Sequence, residues 1–243
     1  ALVARTATVL RVVYLVFNEG YAATSGDDVI RHGLCHEAVR LGRLLLGLVP
    51  DEPEVSGLLA LMELQSSRSA ARVDAAGKPV LLLEQDRSLW DASAIHRGLG
   101  LLVNAQLRGG RGPYVLQAEI AACHARAPRA EDTDWARIAA RYGELGRLTP
   151  SPVVELNRAI AVSMAEGPAA GLLLLDALAA DPALAKYHLL PAARGDMLEK
   201  LGRSAEAKAE FERAAAGATN PRERELMLAR AERCGNAPGA PPT

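Results

Sequence analysis

The stretch from Pro191 to Pro221, PAARGDMLEKLGRSAEAKAEFERAAAGATNP, constrains the fold more than any other. Leu190, Ala193, Met197 and Leu201 recur at helical spacing, and so do Ala207, Phe211 and Ala214. Lys208, Glu210, Glu212 and Arg213 supply a charged outer face. Gly202 falls between the two runs, where a left-handed backbone costs a glycine nothing, and Ser204 is placed to cap the second helix. Two amphipathic helices joined by a tight turn are expected.

The pattern resembles a tetratricopeptide repeat, a helix-turn-helix unit of about 34 residues. Gly195 takes the small position of its first helix; Ala207, Phe211 and Ala214 take the small, aromatic and small positions of its second. Short side chains let two helices approach closely. One such unit cannot bury its own apolar face, so more are expected upstream. Trp135, Ile138, Ala139 and Tyr142 fit a first helix, and Gly167 and Gly202 stand 35 positions apart, close to one period.

Composition agrees with packed helices. Of 243 residues, 49% are hydrophobic and only 4% aromatic. Cores rich in Ala and Leu favour helices over sheets. The net charge of −1 argues against direct DNA binding by this chain, because a basic face is the usual footprint. Cys35, Cys123 and Cys234 are odd in number and form no CxxC, which points to a reducing, cytoplasmic setting. The apolar run Val9–Phe17 is broken by Arg11 and is too short to span a bilayer, so no membrane contact is expected. The chain opens inside an apolar helix without methionine, as a segment of a longer protein would.

The all-α reading divides the chain into a helical, non-repeating region over 1–130, repeats with a capping helix over 131–235, and a disordered tail over 236–243, beginning near Gly235. Helices are expected at about 1–19, 27–48, 54–66, 93–107 and 113–127. A helical turn is expected at 68–72. The second half should hold helices from 134, then at 153–165, 169–180, 184–201, 205–217 and 221–234. Thr24 to Asp27 reads as a turn in which Asp27 caps the second helix. In the third helix Val55, Leu58, Leu59, Leu61 and Met62 face inward. Val73 to Pro79 reads as a loop and Val80 to Leu83 as a buried extended segment.

Several polar groups invite a sharper reading. His32, Cys35 and His36 share a helical face at spacings that could hold zinc, but no third carboxylate follows from the spacing. Incidental polar residues on a half-buried helix explain them as well. Cys123-His124 lacks a base and an orienting partner fixed by sequence. Gly109-Gly110-Arg111-Gly112 precedes a helix, where phosphate could bind, yet no strand precedes it and a plain turn suffices. From Arg68 to Arg111 seven basic residues face four acidic ones. Within that window Arg87 and Trp90 stand among Gln85, Asp86 and Asp91. Either Trp90 anchors the loop while Arg87 pairs with Asp86 or Asp91, or the two form a partner surface, since Trp and Arg dominate binding hot spots.

Six phrases in order resemble a known family. They are Val13 to Tyr21 (VYLVFNEGY), Leu58 to Met62 (LLALM), Arg68 to Arg72 (RSAAR), Glu84 to Asp91 (EQDRSLWD), Gly112 to Tyr114 with Gln117 and Ile120 to His124 (IAACH), and Ser151 to Ala159 (SPVVELNRA). Over Val9 to Cys234 the chain resembles the carboxy-terminal, tetratricopeptide-like extension of extracytoplasmic-function RNA polymerase sigma factors. The resemblance implies a regulatory extension that follows the two sigma regions that bind polymerase and read the promoter. Neither region lies in this chain. Leu89 departs from a position where a basic residue is common, and Pro191 from one usually polar or aromatic.

The expectation is therefore a non-enzymatic interaction domain without cofactor or metal. Its partners would be the sigma regions of the same parent protein or RNA polymerase. The expected surface comprises Arg68, Arg72, Gln85, Asp86, Arg87, Trp90 and Asp91, followed by Asn18, Glu19, Gln117, His124, Asn157 and Arg158. Two rivals stand beside it: a stand-alone repeat adaptor that binds a peptide, and a small-molecule sensor or enzyme with a pocket near Trp90 and His124.

Overall fold

A computed structural model describes residues 2–21, 31–75, 80–185 and 187–236. Among these the chain is all-α, with eleven α-helices arranged as hairpins and no β-strand. Among the described residues no helix is long and apolar enough to cross a membrane. The chain divides into two compact units, Ala1–Asp134 and Trp135–Thr243.

The first unit is organised around α3 (Pro53–Ser66). Its sequence is apolar on all sides, and all ten residues from Val55 to Leu64 are buried. A helix of that kind must be surrounded. On one side Leu58, Leu59 and Met62 pack with Leu10, Val13 and Phe17 of α1 (Leu2–Tyr21) and with Cys35, Ala38 and Val39 of α2 (His32–Leu48). On the other, Ala60, Leu61 and Leu64 pack with Leu102 and Ala105 of α4 (Ala92–Leu107) and with Val115, Ala118 and Ala122 of α5 (Pro113–Arg126).

The inward set of α3 therefore extends beyond the five expected residues and includes Ser56 and Glu63. A buried carboxylate needs partners. Glu63 has two, Arg43 of α2 at 2.6 Å and Arg97 of α4 at 2.9 Å. One charge in an otherwise apolar run thus ties three helices together.

In the second unit α6 (Trp135–Leu148), α7 (Pro152–Glu166), α8 (Pro168–Leu178), α9 (Leu189–Lys200), α10 (Ser204–Gly217) and α11 (Pro221–Asn236) each pack on the next in sequence. Phe211, fully buried, sits against Gly195: a Cβ on Gly195 would lie 2.8 Å from the Phe211 ring. The Arg230 guanidinium covers the ring at 4.3 Å. Arg230 also pairs with Asp196 and Glu199, locking α11 onto α9. Gly202 closes α9 with a φ of +73° and lets Arg203 N–H reach the Leu198 carbonyl at 2.9 Å.

Four local expectations are corrected. Val80 to Leu83 is not a buried extended segment: Leu82–Glu84 is a 3-10 turn, and Leu81 and Leu83 are exposed. The segment is too short to cross a core; only Val80 pairs extended-fashion, its N–H donating to the Arg72 carbonyl at 2.8 Å, before the chain turns. The helix read as 184–201 is split into a 3-10 turn, Pro182–Leu184, capped by Asp181, and then α9. Ser204 is not a cap but the first residue of α10; the preceding Arg203 instead binds Glu206 at 2.6 Å. Gly235 and Asn236 belong to α11 rather than to the tail. The rest of the expected tail, the Thr24–Asp27 turn and positions 76–79 of the loop lie outside the described residues.

Candidate functional site

The cluster with the most unusual chemistry lies in the first unit, where α3 ends and the chain returns to α4. Ser67 stops α3, its hydroxyl donating to the Leu64 carbonyl. The 3-10 turn Ser69–Ala71 follows, with Arg68 and Arg72 at its two ends. Both arginines embrace Tyr21, the last residue of α1. Arg68 donates to the Tyr21 hydroxyl at 2.6 Å, Arg72 donates to its carbonyl, and the Arg72 guanidinium lies 3.7 Å from the ring centroid.

The second wall is a turn built by two aspartates. Asp86 accepts from Ser88 N–H at 2.9 Å and sets the 3-10 turn Arg87–Leu89. Asp91 accepts from Ser93 and Ala94 N–H at 2.8 and 3.0 Å, starting α4. The Asp91 N–H reaches the Ser67 carbonyl at 2.9 Å, which fastens the turn to the end of α3. Between the two caps Trp90 is driven inward and is only 7% exposed. Arg87 lies over the indole at 4.6 Å and Arg68 near it at 5.8 Å.

Of the two readings of this turn, the geometry realises anchoring, with a different partner for Arg87. Arg87 does not pair with Asp86 or Asp91, whose oxygens face backbone N–H groups. It donates to the carbonyls of His124 and Ala127, the latter at 2.8 Å, and approaches the Thr133 hydroxyl at 3.5 Å. It thereby closes the carboxy-terminal end of α5, where free carbonyls favour a cation. Trp90 and Gln85 are buried and offer no side-chain surface to a partner. Gln85 Nε2 donates to the Val80 carbonyl at 3.2 Å. Ser88 and Leu89 form the outward side of the turn, Leu89 being 53% exposed.

Arg68, Arg72 and Arg87 have no carboxylate within ion-pair distance among the described residues, whereas Arg40, Arg43, Arg97, Arg108 and Arg129 all do. Burial, with Arg68 nearby, pulls the Arg72 and Arg87 pKa values down. The same surroundings act on His124: burial first, then Arg68 and Arg87, lower its pKa to about 4. Trp90 Nε1 and Arg87 Nε are buried donors without an acceptor, and Gln85 Oε1 is a buried acceptor without a donor.

The remaining expected residues are placed elsewhere. Gln117 accepts from the Tyr14 hydroxyl at 3.1 Å and joins α5 to α1. Asn18 also hydrogen-bonds Tyr14, and Glu19 pairs with Arg31 at 3.3 Å. Asn157 and Arg158 lie on α7 in the second unit, where Arg158 binds Glu155 at 2.7 Å. Tyr21, Thr133 and Glu63 were not singled out from sequence. A lone glutamate inside the apolar run of α3 was the available signal for Glu63; nothing local marks Thr133.

Two other motifs are explained by the fold. The Gly109–Gly112 turn leads to the start of α5, but the anion there is the protein's own. The Glu54 carboxylate accepts from Tyr114 and Val115 N–H at 2.9 and 3.3 Å. Cys35 is buried, with its thiol directed to the Phe17 carbonyl, and the described residues contain no cluster able to hold a metal ion.

Comparison with known proteins adds the following. A family of unknown function (DUF6596) matches residues 5–106. The chain is 50% identical over 219 residues to an uncharacterized protein of Rhizobium meliloti (strain 1021), covering 90% of this chain and 51% of that protein. No solved structure gives a significant match. The chain thus spans about half the length of the curated relative it matches.

Proposed function

We propose that this chain is the regulatory extension of an extracytoplasmic-function RNA polymerase sigma factor. It acts by contacting the sigma regions of its parent protein or RNA polymerase itself. The observation that carries this reading is the order of six phrases, from VYLVFNEGY to SPVVELNRA, over most of the chain. The fold is compatible with it: the helices pack as hairpins, and α9 with α10 forms the kind of hairpin that a tetratricopeptide-like unit would need. The Rhizobium relative, about twice as long, leaves room for further regions. Regulation requires different affinity for the active and inactive forms of the factor.

The outward side of the Asp86–Asp91 turn is the contact we favour. Trp90 and Arg87 hold that turn rigid, while Ser88 and Leu89 face outward, so a partner would meet a preorganised surface. The test combines retention and transcription. The immobilised chain should retain core polymerase or a protein carrying the two sigma regions. Leu89→Asp, which leaves the anchors untouched, should weaken retention about tenfold and alter transcript yield from the full-length factor. Absence of retention together with unchanged transcription on deleting the extension would remove this reading.

A further inference from the structure

A second site lies in the same unit, on the Glu63 side of α3. A groove of about 370 Å³ opens there, lined by Arg43, Glu63, Arg97, His36, Ser66 and Asp91 among others. That volume lies at the low end of small-molecule sites. We infer that this groove binds a small molecule bearing one oxyanion, a phosphate monoester or a carboxylate.

The charges are arranged for that ligand. The Glu63 side chain is 4% exposed, and those of Arg43 and Arg97 are 55% and 47% exposed. One buried carboxylate therefore holds two half-exposed guanidinium groups in fixed positions. Arg43 uses Nη2 on Glu63 Oε1, and Arg97 uses Nε and Nη2 on Oε2. The remaining guanidinium donors stay available at the groove. Counting Asp91, two acids stand against the two arginines, so the groove offers fixed guanidinium donors rather than a net charge.

The other acid, Asp91, is already occupied. Its Oδ1 accepts from Ser93 and Ala94 N–H at the start of α4, and its charge also acts on Arg97. Ser66 lines the groove, and its hydroxyl is buried without a hydrogen-bond partner. His36 adds a ring nitrogen on the facing helix. A pair of arginines held in a fork by a shared carboxylate suits an oxyanion better than a mobile lysine would. This site does not depend on the regulatory reading, because binding is measured on the chain alone.

The experiment is calorimetric titration of the 243-residue chain with phenyl phosphate, with benzoate and with benzyltrimethylammonium. One of the two anions should bind saturably at one equivalent per chain, and the cation should not. Stronger binding of phenyl phosphate identifies a phosphate site; stronger binding of benzoate identifies a carboxylate site. Arg43→Met should lower the affinity about tenfold while leaving Glu63 bonded to Arg97. His36→Ala, which leaves both ion pairs intact, should lower it about threefold, and it decides the matter if Arg43→Met does not fold. Arg111→Met, on the exposed turn before α5, should bind like the parent. No saturable binding of either anion, equal binding of the cation, or unchanged affinity in the folded variants would overturn the inference.

Discussion

His124 shows how a single side chain reports its surroundings. It sits where Arg68 and Arg87 approach the end of α5, and burial together with those two charges lowers its pKa from 6.5 to about 4. A base depressed in the folded state binds its proton better when unfolded. Its contribution to stability is therefore complete above pH 6.5 and is lost as the pH falls toward 4. The difference corresponds to up to about 3 kcal/mol. Denaturant titrations across this range should show the parent losing stability faster than His124→Gln, the two curves converging as the pH falls. Parallel curves would mean that His124 is not held neutral by the fold. None of this is legible in the dipeptide Cys123-His124, because the two charges that act on it come from positions 68 and 87.

At the scale of elements, packing distance decides more than propensity. The α9–α10 turn was readable from Gly202, and the close approach of the helices from Gly195 and Phe211. The residues between which the approach occurs are small or flat, and that information is carried in the chain itself. Gly195→Ala would place a methyl 2.8 Å from a ring that Arg230 also covers. Neither neighbour can yield freely, so a loss of about 1–3 kcal/mol is expected from thermal or urea unfolding. Phe211→Leu in the Gly195→Ala background should recover part of that loss, and no recovery would show that the strain lies elsewhere. By contrast, Val80 to Leu83 could not be placed from its four apolar residues. Short apolar runs carry no period, and the neighbours that settle their conformation are distant in sequence. The same reason hid the role of Arg87, whose acceptors lie about forty positions downstream.

For the molecule as a whole, the two units are held differently. In the second, each helix leans on its sequence neighbours, and ion pairs such as Arg230 with Asp196 tie α11 back to α9 across α10. In the first, both hydrophobic clusters share α3, which is buried all round. The helical character and much of the element order could be read from the sequence, since hairpin periodicity is local. The site could be read only in part: its residues were chosen, but which of them face outward depended on contacts between distant segments. The shared helix also has a consequence in time. Neither cluster can open without exposing α3, so solvent should reach its backbone only when the whole first unit unfolds. Hydrogen–deuterium exchange should find the Val55–Leu64 amides among the slowest in the chain, exchanging in step with global opening of that unit, while the helices of the second unit exchange in a graded order along the chain.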